Sequence, residues 1–353
     1  MSLQADLILR KLQQLPVTQA LKKGAVPLPP VKAPSLEGLV MTVEAPEPPT
    51  ADELSGRFVE LLREHGVRRE RARGEKLAAG DEVEVDVLGY VGGKLMPGGV
   101  RFGWSFDLVP NAALEGLAEQ LTGAQVGGSA RVKVKLGAEH PNPALRGKTA
   151  ELIVDVLRAF EVKPLNGDDP AALVKLGRGK TLDEVMLKIA DELISEWVDG
   201  AWADAEAKVL EEVANRAGAD VGDALVDEEL RRRWGAAEGT HLSAKGFDAA
   251  EQQEALDLWL EDPVKREEVR SRLRLSLALK AIAERDGVKP EPEQLEAIMV
   301  ASGAALGLDE AALKSLGKAD PAAATSMVEA AYQQQLIGYV LEQAEVREVD
   351  AAR

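Results

Sequence analysis

The feature that most constrains this chain is a change of hydrophobic period partway along it. Between Gly80 and Leu157 apolar residues alternate, as in Val83, Val85 and Val87, whereas beyond Thr181 they recur at spacings of three and four. Alternation suits half-buried strands, and the longer spacing suits the apolar stripe of a helix. The order therefore predicts a small β-rich unit followed by a large helical one, and 353 residues exceed what one ordinary core serves.

Within the first unit, a Gly-rich turn at Gly92 and Gly93 follows the opening strand, and Phe106 and Leu108 mark the next. A short helix is expected from Leu114 to Leu121, a strand from Val132 to Leu136 and a last one from Leu152 to Leu157. These elements place an α+β domain at residues 77–162. Ahead of it, Leu3, Leu7, Ile8, Leu12 and Leu15 give a short N-terminal helix within 1–25, stopped by Pro16. Residues 26–76 read as an arm, with prolines around the alternating Leu39, Met41 and Val43, then Thr50 capping a helix that bears Leu54, Phe58, Leu61 and Leu62.

The polar Pro/Gly stretch 163–172 reads as a hinge, and 173–351 as an all-helical domain. There Thr181 caps a helix bearing Val185, Ile189 and Leu193. Asp262 and Pro263 open another, ended by Gly287, and further helices start near Pro292 and run from Met327 to Ala344.

A net charge of −17 disfavours nucleic acid, whose affinity rests on neutralising phosphates. No apolar stretch approaches the roughly 18–20 residues that cross a bilayer, and no signal peptide opens the chain, so a soluble, cytoplasmic protein is expected. Cysteine is absent, which excludes disulfides and thiolate metal sites. His65, His140 and His241 are scattered, so no metal is expected. No phosphate-binding Gly-rich loop appears, so neither ATP nor any other cofactor is expected.

Several stretches, in order, resemble the trigger factor family. Val31–Val43 with Thr50–Arg63 resembles the arm leading to that family's isomerase domain, and Gly80–Val87 its opening strand. Leu114–Leu117 through Gly123 and Gly127 resembles the FKBP helix under the proline pocket, and Leu145–Lys148 the turn before the last strand. Ala219–Leu230 resembles the start of a helical arm, and Ala330–Val349 the closing helix and short charged tail. The resemblance spans residues 26–350 and implies an FKBP-like antiparallel half-barrel with one short helix, joined to an extended helical cradle with arms. The family's ribosome-docking loop, Gly-Phe-Arg-x-Gly-Lys, has no counterpart, so ribosome attachment by that route is not expected.

By the same resemblance the proline pocket falls on Val87, Met96, Pro97, Trp104, Phe106, Ala113, Leu114, Leu117, His140 and Leu152. The family usually has aromatics where Val87, Met96, Leu117, His140 and Leu152 stand, and often an acid near Pro97. Prolyl rotation needs an apolar pocket that desolvates the amide against a barrier of about 18–20 kcal/mol. Two readings stand: a looser aliphatic pocket with weak isomerase activity, or residues that merely fill a core. His140 is likewise either a pocket donor or a solvated loop histidine.

For holding unfolded chains, the helical region offers Met186, Trp197, Trp234, Leu242, Phe247, Trp259, Met299, Leu306, Leu313 and Met327. Trp234, Leu242, Phe247 and Met299 are favoured, because Gly-rich breaks near them predict exposed helix tips. The leading expectation is a chaperone for unfolded or nascent polypeptides. A fully active peptidyl-prolyl isomerase and an assembly factor for one client are the alternatives, and a homodimer is compatible with each.

Overall fold

In the computed structural model, residues 24–349 are described, apart from 111, 305–306 and 320. The N-terminal helix expected within residues 1–25 thus lies almost wholly outside the described residues, and Leu306 lies outside them too. The chain divides into two compact units. One is Pro48–Ser195 with Leu230–Arg266, and the other is Met1–Glu47 with Glu196–Glu229 and Glu267–Arg353. Helices and a small antiparallel sheet make up the α+β architecture.

The first unit holds a five-stranded antiparallel sheet of β2 (Val67–Glu70), β3 (Glu82–Val91), β4 (Lys94–Asp107), β5 (Ser129–Lys135) and β6 (Thr149–Lys163). Strand β6 pairs with β3 along one edge, and with β5 near its start and β2 at its end. Gly92 and Gly93, both at positive φ, make the tight turn from β3 to β4. Val83, Val85 and Val87 are buried with Phe106, Val132, Val134, Leu152 and Val154. The short helix, α2 (Leu117–Leu121), starts three residues later than its apolar run suggests. Gly116 sits at φ 78°, a left-handed turn that a continuing α-helix does not pass through.

Ahead of the sheet, α1 (Ala51–Glu64) begins at the expected Thr50, whose hydroxyl and the Glu53 carboxylate complete a capping box. Leu61 and Leu62 of α1 pack with Leu173 of α3 (Pro170–Lys175) and with Val185 and Ile189 of the long helix α4 (Leu182–Ala217). Leu165 joins them and its N–H bonds the Leu62 carbonyl, so the stretch expected as a hinge lies packed on α1.

The same unit contains the end of α5 (Asp223–Trp234), a π-helical turn over Gly235–Gly239, α6 (Thr240–Ala244) and α7 (Ala249–Glu261). Asp248 and Glu251 form a capping box for α7.

In the other unit, β1 (Val40–Glu44) pairs in parallel with β7 (Glu345–Val349). Leu39, Met41 and Val43 pack on Val209, Val213, Leu279 and Ile282, from α4 and α8 (Pro263–Asp286), and on Leu336 and Val340 of α11 (Pro321–Leu341). A smaller cluster joins α9 (Pro292–Ala304), α10 (Glu310–Ala319) and α11 through Leu316, Met327 and Ala330. No described helix is long and apolar enough to cross a membrane.

Candidate functional site

The sheet gathers most of the expected pocket residues but leaves them unequally open. Val87, Phe106, Leu117 and Leu152 are buried in the core, while Met96, Trp104, Ala113 and Leu114 are half-buried against it. Register places Val87, Phe106 and Leu152 in the core, since Val87 lies opposite Val154 and Gly89 opposite Leu152 between β3 and β6, and Phe106 opposite Val83 between β3 and β4. Gly89 admits Met96 to this face: a Cβ added there would stand 2.8 Å from Met96 Cε and 3.2 Å from Leu152 Cδ2.

Trp104 and Phe106 form a tilted aromatic pair with centroids 4.7 Å apart. The Arg101 guanidinium lies 4.4 Å over the Trp104 ring, so a cation borders the ring. His140 is half-buried in the loop before β6. The Asn142 N–H donates to its Nδ1 at 3.2 Å, which ties that ring nitrogen to the loop backbone. The carboxamide oxygen of Asn142 accepts the Ala144 N–H and caps the turn Pro143–Leu145.

The residues favoured for client binding separate. Met299 is half-buried beside Leu316 and Met327, with Leu313 in the same cluster. Trp234, Leu242 and Phe247 come together elsewhere, on the back of the β3–β4 hairpin, with Leu88, Tyr90, Leu95, Val100, Ala255 and Leu258. Leu242 was expected on an exposed tip; instead it is 0% exposed, because the sheet supplies it an apolar partner surface. Met186 is half-buried beside the α1 cluster, and Trp197 is half-buried on α4.

This contact, made by residues 234–261, covers the second face of the hairpin. Alternation runs unbroken along β3, so Val83, Val85, Val87 and Val91 serve the core while Leu88 and Tyr90, on the intervening positions, serve the back. The appearance of apolar residues at both parities from Val87 onward, with Leu88 and Tyr90 beside Val87 and Val91, is the sequence signal that marks the hairpin as two-sided.

Polar groups at the contact were not foreseen. Lys245 Nζ meets Asp86 Oδ2 at 2.5 Å, and Asp86 Oδ1 accepts the Gly103 N–H at 2.9 Å. Phe102 stacks on His241 with centroids 4.8 Å apart. Glu238 is buried, accepts the Trp259 indole N–H at 2.8 Å and bonds the Gly98 backbone N–H. Burial pushes its carboxyl up to about 7, against the opposing pull of these hydrogen bonds and of the Lys265 charge. Lys265 itself lies 3.7 Å from the Trp259 ring centroid. The Trp234 indole N–H is buried with no hydrogen-bond partner.

Among the described residues, no cluster of His, Cys, Asp and Glu is arranged to hold a metal ion. In the helical unit, α9 and α11 frame a groove of 650 Å³ whose apolar wall includes Val288, Ala297, Ile298, Ala301 and Tyr339. A second hollow of 410 Å³ lies between α8 and α11, beside Leu279, Ala283 and Leu336.

Residues 181–342 match the family model described as "Bacterial trigger factor protein (TF) C-terminus". The chain is similar to the trigger factor of Shouchella clausii, 28% identical over 280 residues, which cover 76% of this chain and 62% of that one. It is also similar to the trigger factor of Sphingopyxis alaskensis, 26% identical over 332 residues, covering 92% and 60%. Against the trigger factor of Bacillus mycoides it is 28% identical over 308 residues, covering 83% and 69%. The chain spans less than two thirds of the length of the first of these relatives. One solved structure, described as "Promiscuous Substrate Recognition in Folding and Assembly Activities of the Trigger Factor Chaperone", aligns at 15% identity over 89% of this chain and 73% of that one. Its TM-score is 0.35, and it adds nothing to the assignment. Through the helices of residues 181–342, and by similarity reaching well beyond them, the chain resembles the trigger factors.

Proposed function

We propose that the protein is a cytoplasmic chaperone that binds unfolded or newly made polypeptides through its helical region, with weak or absent prolyl isomerase activity in the sheet domain. The observation that carries this is the 650 Å³ groove between α9 and α11, inside the family-matched stretch, where apolar residues stand beside the exposed amide of Gln294. Such a lining desolvates apolar side chains while the Gln294 amide meets a client backbone, without demanding one sequence. Met299 and Leu313, beside it on α9 and α10, add adaptable surface.

Weak isomerase activity is supported by the consumption of Val87, Leu117 and Leu152 in the core, which leaves Trp104 as the partly exposed ring of the expected wall. Aggregation of a chemically denatured test protein tests the chaperone reading. The native chain suppresses it at equimolar dose and Ile298→Asp weakens that suppression; no suppression by the native chain rejects the reading. Refolding of a proline-limited substrate tests the second part: a large acceleration lost in Trp104→Ala restores the active-isomerase alternative.

A further inference from the structure

The contact of residues 234–261 with the hairpin encloses two polar groups that are costly to bury. Its Trp234 indole N–H has no acceptor, and the carboxyl of Glu238 is enclosed in it. The segment passes through a π-helical turn flanked by Gly235 and Gly239 and leaves through Gly246 at φ 82°. Such turns and glycines concentrate where backbone must rearrange. At its rim the contact is held by Lys245–Asp86 and by Lys94–Glu254 at 3.2 Å, the latter pair exposed to water. The buried faces are apolar on both sides, with Leu88, Leu95 and Val100 on the sheet, and Leu242 and Leu258 on the helices with Phe247 in the loop between them. An apolar surface of this character, once uncovered, suits an extended apolar segment.

We propose that residues 234–261 form a releasable clasp on the back of the β3–β4 hairpin, which when open presents both apolar faces to an unfolded polypeptide. The proposal rests on the chaperone reading above and adds regulation to it: this part of the client surface is stored shut against the chain itself. Client and clasp then compete, so affinity depends on how often the clasp opens. The hairpin also carries Met96 and Trp104, so opening changes the support behind the proline wall. Raised pH favours opening, because Glu238 faces Trp259 on α7, Gly98 on β4 and the single cation Lys265 on α8 among its described charged neighbours.

The chain has no cysteine, so Lys94→Cys with Glu254→Cys creates a unique thiol pair at two exposed rim positions. A short bismaleimide then locks the clasp. The probe is reduced, carboxymethylated α-lactalbumin, read by fluorescence anisotropy. The locked chain is expected to bind it at least about tenfold more weakly than the same variant left unlinked, and Lys245→Met several-fold more tightly than the native chain. Equal binding with and without the link, while the native chain binds, overturns the clasp and leaves the chaperone reading standing. No binding by native or unlinked protein overturns both. Glu238→Gln provides a second arm: its binding is expected to stay flat from pH 6 to 8 where the native chain's rises, and parallel profiles count against the clasp.

Discussion

The Lys245 ammonium lies 2.5 Å from the Asp86 carboxylate, although 159 positions separate the two residues. Asp86 is buried at the β3 irregularity and also holds the Gly103 N–H. Lys245 is substantially exposed, so water screens much of its share of the pair. Lys245→Met is therefore expected to cost about 1 kcal/mol, while Asp86→Ala, which also orphans a backbone donor, costs about 2–3 kcal/mol. Urea denaturation measures the totals, and hydrogen exchange in residues 240–261 should rise first in the lysine variant. Equal losses for the two would show that the Gly103 bond contributes nothing.

Trp234 gives the opposite sign. Its ring packs over Gly239, but the indole N–H finds no acceptor. A buried donor left unsatisfied costs about 1–3 kcal/mol. Trp234→Phe removes that donor while keeping an aromatic ring, so a gain of about 1 kcal/mol is expected, less whatever the smaller ring leaves unfilled. A lower urea midpoint than the native chain's would contradict it.

Glu238 sets a pH dependence. Its carboxyl is raised from the ordinary 4.5 to about 7, first by burial. For an acid with a raised folded value, the stabilising contribution is complete below 4.5 and is lost as pH rises through about 7. The loss has a ceiling of about 3 kcal/mol, because each tenfold change in proton affinity is worth about 1.4 kcal/mol. Glu238→Gln keeps an oxygen acceptor for Trp259 and carries no charge. The gap in stability between variant and native chain should therefore widen from pH 5 to pH 8, as followed by thermal unfolding. A constant gap would place the titration elsewhere.

The pair Arg71–Asp81 should tolerate least. Asp81 is 2% exposed, receives two Arg71 N–H bonds at 2.5 and 2.8 Å, and accepts the Ala78 N–H at 2.7 Å. Asp81→Ala leaves a largely buried guanidinium without its main partner, for a loss of about 3–5 kcal/mol. Arg71→Met with Asp81→Leu should recover part of that, because two apolar groups leave no charge unpaired. Calorimetry of both variants distinguishes pairing from packing.

Deleting residues 345–353 strips β1 of its only strand partner among the described residues. Met41 and Val43 would keep their helical neighbours, but the β1 backbone loses its ladder. A fall of several degrees in melting temperature is expected, with faster exchange confined at first to residues 40–44.

What the sequence determined is what its neighbours along the chain determine. Thr50 with Glu53, Thr181 with Glu184, and Asp262 before Pro263 each form the expected helix start, because a cap needs groups only three or four residues away. The alternation of Val83, Val85 and Val87, and the Gly92–Gly93 turn, are local in the same sense. Tertiary structure alone decided that Leu242 meets Leu95, that β7 pairs with β1 from some 300 residues away, and that Glu238 is enclosed while other acids of these helices stay in water. An apolar stripe states that a face must be buried but not against what; that choice belongs to complementary surfaces elsewhere in the fold. The expected proline wall shows the same division: Val87, Met96, Trp104, Phe106 and Leu152 lie on strands, while the depth of each was set by the strand and helix that closed over it.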